Sequence, residues 1–289
     1  MPCSRRWCRC CMSARTGPGL RSDVCDLASL VSQFTGDDAF RQRLVLHGDW
    51  PRRWATTWMF DGGQVVWPVR DLGSVPVLDS RPVRRFTWRP RQRHRPGLEP
   101  LVSTGRQHGF ESLEERDLLR ALDFVRVREV LPQPFRLDFE HTGGRSAHVP
   151  DFLALMPDGG WLFDVRPAPL VQDEDALKFA ATREVATAAG WRYTVVGGWR
   201  PHVLGVLDAL LARRRPRKDP LGLQPQLVAA AAERPRSFAE LVGSTEWPEL
   251  TRVEAVHLLW HRRLGVDLGS PLQDGSLVWL GQSAARGRS

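Results

Sequence analysis

Apolar and polar positions along this chain follow two periods, and the switches between them mark the elements. Between Trp50 and Val69, WPRRWATTWMFDGGQVVWPV is rich in Trp, Val and Thr on both sides of Asp61-Gly62-Gly63, which predicts a β-hairpin. Ser112 opens a stretch in which Glu115, Leu118, Leu119 and Leu122 share one helical stripe, predicting a helix to about Phe124. A strand is predicted over 133–139. HVPDFLALMPDGGWLFDVRP, residues 148 to 167, then holds two apolar strands about a Pro-Asp-Gly-Gly turn. A helix over 174–189 stopped by Gly190, a strand over 191–198 and a helix over 202–215 follow. This order describes an α/β domain, a mixed sheet flanked by helices.

The basic, proline-containing stretch RRRPRKDPLG, 213 to 222, reads as a linker. Beyond it, Ser237-Phe238-Ala239-Glu240 and Thr251-Arg252-Val253-Glu254 have the form of capping boxes and predict helices near 237–243 and 251–264. VDLGSPLQDGSLVWL then reads as a hairpin. Helices closed by a hairpin are the order of a winged helix, although a generic helical cap or protein-docking unit shares it. Four parts are therefore expected: a disordered Arg- and Cys-rich leader (1–35), an N-terminal β-hairpin segment with an Arg-rich arm (36–97), the α/β domain (98–215) and a winged-helix-like domain (216–289).

Composition adds a partner class. The chain has 289 residues, 42% of them hydrophobic, enough to bury a sizeable core. Its net charge of +8 favours a polyanion, nucleic acid first. The only lysines are Lys178 and Lys218, which limits any mechanism that needs an amine. All five cysteines fall within the first 25 residues. Cys8 and Cys11 have C-x-x-C spacing, but no histidine or periodic element frames them, so a loose leader is the better reading than a zinc knuckle. No apolar run approaches the ~20 residues that span a bilayer, and a cytoplasmic, nucleoid-associated protein with no membrane partner is expected. RPVRRFTWRPRQRHRPG, 81 to 97, sets seven arginines beside Phe86 and Trp88 with no acid. It is either a solvated linker or an arm in which Arg84, Arg85, Arg89, Arg91 and Arg93 grip phosphates while the aromatic rings stack. Arg213, Arg214 and Arg215 offer a second phosphate-binding run.

The hairpin at 148–167 carries the chemistry. With Asp158-Gly159 as its loop, Asp151 stands opposite Arg166, and Asp151, Asp164 and Arg166 emerge on one face. Asp151 and Asp164 are then diagonal neighbours, roughly 7–8 Å apart at Cα, close enough to share one hard divalent cation. The alternative is an Asp151–Arg166 salt bridge, with Asp164 serving another arginine. Glu115 lies in line with the buried stripe of its helix, yet Ser112-Leu113-Glu114-Glu115 is also a capping box.

The set Glu115, Pro150-Asp151 and Asp164-Val165-Arg166 resembles the PD-(D/E)xK nucleases, the restriction-endonuclease-like fold, and more closely their TnsA-type branch, the endonuclease subunits of heteromeric transposases. The likeness rests on GFESLEERDLLRALDF, VLPQPFRLDF, HVPDFLA and WLFDVRPA, and extends through KFAATREVATAAGW, about residues 82 to 200. TnsA-type proteins also carry a C-terminal winged-helix-like domain. The resemblance implies that Glu115, Asp151 and Asp164 bind Mg2+ (or Mn2+) and that Arg166 stands at the catalytic basic position. It also implies water attack on a DNA phosphodiester at transposon ends. The implied partners are double-stranded DNA, a transposase subunit and an ATPase regulator. The family's lysine is Arg166 here. A guanidinium stays protonated and cannot be a general base, though it can steady a phosphate's charge or orient water. Lys178, on the next helix, is the other candidate for that role. The rival expectation is a catalytically degenerate DNA-binding or assembly subunit that docks a transposase or ATPase partner.

Overall fold

The computed structural model describes residues 19–84 and 96–282. Its first strand, β1 (Val31–Gln33), lies inside the stretch expected to be a disordered leader and pairs antiparallel with residues 196–199. Leu27, Leu30 and Val31 are buried in the main core, so residues 19–35 are an ordered part of the fold. A few scattered apolar positions beside a three-residue strand carry neither period, which is why the sequence pattern does not announce them. After the short helix α1 (Trp50–Arg53), β2 (Ala55–Phe60) and β3 (Gly63–Pro68) form the expected hairpin about Asp61 and Gly62. A second hairpin, β4 (Gly97–Leu101) and β5 (Arg106–Phe110), precedes helix α2 (Leu113–Phe124), which buries Leu118, Leu119 and Leu122.

Strands β6 (Glu129–Pro132), β7 (Phe135–His141), β8 (Gly144–His148), β9 (Phe152–Met156) and β10 (Gly159–Val165) come next. Helix α3 (Asp173–Ala188), strand β11 (Arg192–Trp199) and helix α4 (Val203–Leu211) follow. The central sheet has the order β1-β11-β10-β9-β6, with β10 and β11 parallel and the other neighbours antiparallel. The chain is thus mixed α/β. One expected strand leaves this sheet: residues 133–139 contribute β7 to a separate antiparallel sheet, β3-β2-β7-β8. Gln133 and Pro134 account for the switch. Gln133 has φ 47°, a left-handed conformation uncommon outside glycine, and Pro134 has no N–H to continue a ladder. The N-terminal hairpin therefore joins β7 rather than standing apart.

Alternation divides the central strands between two cores. Val130, Phe152, Ala154, Phe163 and Val196 share one with α2 and α4. Leu131, Leu153, Leu162, Tyr193 and Val195 share the other with α3 and with Trp54, Trp58 and Phe135 beside and in the second sheet.

The C-terminal unit contains α5 (Leu223–Glu233), β12 (Arg236–Ser237), α6 (Phe238–Val242), α7 (Pro248–Trp260), β13 (Leu264–Gly265) and β14 (Leu277–Leu280), with its strands in the order β12-β14-β13. The Ser237–Glu240 capping box forms: Glu240 N donates to Ser237 Oγ, and Ser237 N to Glu240 Oε2. The Thr251–Glu254 box does not. Helix α7 begins earlier, at Pro248, where a residue without N–H costs nothing, and Thr251 is buried inside it. Leu241, Leu259, Trp260 and Val278 are continuous with the core of α2 and α4, so buried packing runs across the expected boundary at residue 216. Residues 20–23 fasten this unit further. Ser22 N donates to Val266 O (2.9 Å), Val266 N to Ser22 Oγ (2.8 Å) and Trp279 Nε1 to Asp23 Oδ1 (2.9 Å). No helix among the described residues is long and apolar enough to cross a membrane.

Candidate active site

Proline chemistry sets the register of the β9–β10 hairpin. The expected alignment pairs Pro157 with Gly160, a position in which proline could not donate. In the structure Met156 pairs with Gly159 and Leu155 with Gly160, leaving Pro157-Asp158 as the loop. Gly159 takes φ 127°, which is strained for any residue with a Cβ. The shift preserves which strand residues point to which face, but Asp151 no longer stands opposite Arg166. The last ladder pair is Phe152–Phe163. Beyond it Asp151 reaches both neighbours of Asp164: its N–H donates to Phe163 O (3.0 Å) and its Oδ2 accepts from Val165 N (2.7 Å). Its own carbonyl accepts from Gln133 N (2.8 Å), which ties it to the chain between β6 and β7.

Glu115 serves two purposes. Its N–H donates to the Ser112 Oγ cap (3.1 Å), while its carboxylate accepts from Ser112 Oγ (3.0 Å) and from Glu111 N (2.8 Å). The same side chain lines a cleft of about 320 Å³ together with Asp151, Asp164, Arg166, His148 and Asp175. Asp164 is 2% exposed. Tyr193 OH donates to its Oδ2 (2.6 Å), and His148 Nε2 lies 2.8 Å from its Oδ1. Strand ends, a helix N-terminus and the opening loop of β9 thus bring the three predicted carboxylates into one cleft.

These carboxylates are crowded. Burial, then the charges of Glu115 and Asp164, push the Asp151 carboxyl well above its ordinary range, against the opposing pull of the Val165 N–H. Burial also raises Glu115, although the Glu111 N–H and the Ser112 hydroxyl work against it. Burial, followed by the Asp164 charge and hydrogen bond, raises the Tyr193 phenol well above its ordinary value. Such a cluster favours taking up positive charge.

The basic residues fall less simply. Arg166 lines the cleft, but its Nε faces Leu170 O (3.3 Å) and Asp175 Oδ2 (3.4 Å) rather than Asp151. The Asp151–Arg166 salt bridge is therefore not formed, and Asp164 is held by Tyr193 and His148, not by an arginine. Lys178 is paired with Glu174 (2.6 Å) and does not line the cleft. Arg84 donates to Glu111 Oε2 (2.7 Å). Arg85, Arg89, Arg91 and Arg93 lie outside the described residues. Arg213 and Arg215 are exposed. Arg214, expected to bind phosphate, is instead 12% exposed and buried against Glu99 Oε1 (2.8 Å) and Pro100 O (2.9 Å), an internal ion pair in place of a DNA contact.

His148, Tyr193 and Asp175 were not among the expected site residues. His148 stands three positions before Asp151, but its partner is Asp164 on the next strand; Tyr193 is the chain's only tyrosine, and nothing local ties it to Asp164. The donor set, three carboxylates on hard oxygen, suits Mg2+ or Mn2+ in kind. Asp151 Oδ1 has no hydrogen-bond partner among the described residues, whereas both oxygens of Glu115 and of Asp164 are engaged. Among the described residues no three His, Cys, Asp or Glu side chains form a ready-made metal cage. No family model matches the chain, and no curated protein matches it.

Proposed function

We propose that this chain is a metal-dependent DNA endonuclease with a restriction-endonuclease-like core and a winged-helix-like C-terminal unit, acting as the TnsA-like subunit of a heteromeric transposase. One observation carries the reading: Glu115, Asp151 and Asp164, distant in sequence, meet in one cleft where crowding raises Asp151 and Glu115. Asp151 with Glu115 and Asp164 would hold Mg2+ or Mn2+, which supplies an activated water and a counter-charge for a phosphodiester oxygen. The remaining work belongs to the chain. Tyr193 and His148 fix the orientation of Asp164, and the Val165 N–H fixes Asp151, so the carboxylates keep their places without a ligand. Exposed arginines, Arg213 and Arg215 among them, would take backbone phosphates of double-stranded DNA.

The assembly-subunit reading draws on a different observation, the turn of Arg166 toward Asp175. A nicking assay on supercoiled DNA with Mg2+ or Mn2+, alone and with a transposase partner, separates the two. Metal-dependent nicking that Asp151→Asn abolishes supports the nuclease; DNA binding without nicking under either condition overturns it.

A further inference from the structure

We infer that Arg84, alongside Arg166, grips the scissile phosphate at the edge of the cleft. The inference rests on the nuclease reading above and concerns the positive charge that any such cleft needs beside its carboxylates. Arg166 stands at the expected sequence position and lines the cleft, with its Nε 3.3 and 3.4 Å from Leu170 O and Asp175. Lys178 is paired with Glu174 outside the cleft.

Arg84 does not itself line the cleft but is tied by hydrogen bonds to two residues that do, Glu115 and Asp151. Its Nη2 donates to Glu111 Oε2 at 2.7 Å, and Glu111 N in turn donates to Glu115 Oε2 at 2.8 Å. Its backbone neighbour is tied to the same place. Val83 N donates to Gln133 O (3.0 Å), and Gln133 N donates to Asp151 O (2.8 Å). Two hydrogen-bonded steps therefore connect the root of Arg84 with the backbone of Asp151, and two more connect its guanidinium with the carboxylate of Glu115. Its charge acts on both acids, opposing the rise of each. The Arg84–Glu111 pair is exposed, with side-chain accessibilities of 46% and 23%, so a phosphate can compete for the guanidinium at little cost. A planar guanidinium meets a phosphate through two parallel N–H donors, which suits one fixed phosphate better than a diffuse backbone charge.

The test compares the full chain with Arg84→Gln, Arg84→Lys and Arg70→Gln; Arg70 pairs with Asp71 outside the cleft and serves as the charge control. Thermal melting first establishes that each variant folds. Duplex binding is followed by fluorescence anisotropy in EDTA across a salt series. Arg84→Gln is expected to flatten the dependence of log Kd on log salt by about 0.9, one phosphate's worth, while Arg70→Gln leaves it unchanged. Single-turnover cleavage with Mn2+ at saturating duplex is expected to fall by roughly 100-fold or more in Arg84→Gln, with partial recovery in Arg84→Lys. An unchanged slope overturns the assignment. So does a flattened slope with undiminished cleavage at saturation, since Arg84 would then hold a flanking phosphate. A wild-type chain that never cleaves removes the nuclease reading by itself, and in that case a flattened slope still supports a phosphate contact by Arg84.

Discussion

Replacing Asp151 by Asn should stabilise the metal-free protein. Asp151 touches Val165 N and Phe163 O on either side of Asp164, with Glu115 nearby on the helix N-terminus, and no arginine is paired with it among the described residues. Its carboxyl is raised well above the ordinary range, by burial first and then by the two neighbouring acids. The sign follows from linkage: near neutral pH the folded state carries a charge that the unfolded state carries more comfortably, so ionised Asp151 opposes folding. Two carboxylates roughly 6 Å apart at an effective dielectric constant near 20 repel by about 3 kcal/mol. Water in an open cleft reduces this, leaving a gain of about 1–2 kcal/mol, or several degrees in Tm. Asparagine keeps the acceptor that the Val165 N–H needs. Metal reverses the ranking: a cation at 100 times its Kd stabilises the wild type by about 2.7 kcal/mol and should leave Asp151→Asn almost unmoved. Asp164→Asn should behave otherwise, losing about 1–3 kcal/mol without metal because Tyr193 donates to one oxygen of that carboxylate and His148 is hydrogen-bonded to the other. Thermal melts with EDTA, Mg2+ and Mn2+ read all of this. A destabilised apo Asp151→Asn, together with a wild type that gains nothing from either metal, would refute the reasoning.

Leu30→Ala, in the stretch that looks like a leader, should cost about 2–5 kcal/mol in urea unfolding, because Leu30 is fully buried in the main core. Arg214→Ala should destabilise by about 1–3 kcal/mol, because buried Glu99 loses one of its two arginine partners and keeps Arg120, and should leave the salt dependence of DNA binding unaltered. His261 has its pKa lowered from 6.5 to about 4, by burial first and then by the neighbouring His257 and Arg126. The unfolded chain therefore takes up the proton first, so this contribution is complete above about pH 6.5 and is lost as pH falls toward 4. Denaturant midpoints across that window should drop in the wild type and flatten in His261→Gln, with about 1–3 kcal/mol at stake.

Legibility followed periodicity. The stripe of Leu118, Leu119 and Leu122 gave α2, and Asp-Gly-Gly between Trp- and Val-rich runs gave the β2–β3 hairpin. The carboxylates at 115, 151 and 164 were legible because polar groups inside apolar runs demand an explanation. What failed was pairing. Residues 133–139 read as a strand, but nothing local said which sheet would receive it; Gln133 at positive φ and the missing N–H of Pro134 decide that. The hairpin register depended on where a proline can sit, and the partners of Asp164 depended on β11 lying parallel to β10, a tertiary fact. Arg214 belongs to the same class. A run of three arginines looks like a solvated patch until one of them proves to be the counter-charge of a buried glutamate.

The two ends of α2 explain why the C-terminal unit cannot be treated as an appendage. Glu115 stands in the first turn, facing the cleft. At the other end Phe124 packs edge to face on Trp260 of α7 at 5.4 Å, and Arg126 Nη2 donates to His261 O at 2.8 Å. Between them Arg120 bonds Glu99 of β4 and Asp208 of α4 (3.3 and 3.0 Å). A twelve-residue helix is about 18 Å long and does not bend easily, so it carries displacement from one end to the other. Glu115 is also held by the Ser112 cap, which belongs to the same helix and moves with it, whereas Asp151 and Asp164 are anchored to the sheet through Val165 and Tyr193. The geometry of the cleft therefore depends on how α2 sits on β4, β5, β10 and α4, and its C-terminal end is in turn braced against α7 through Phe124 and Trp260. A flexible linker at residue 216 would have left the two units free of each other; a shared core makes the position of one carboxylate a property of both.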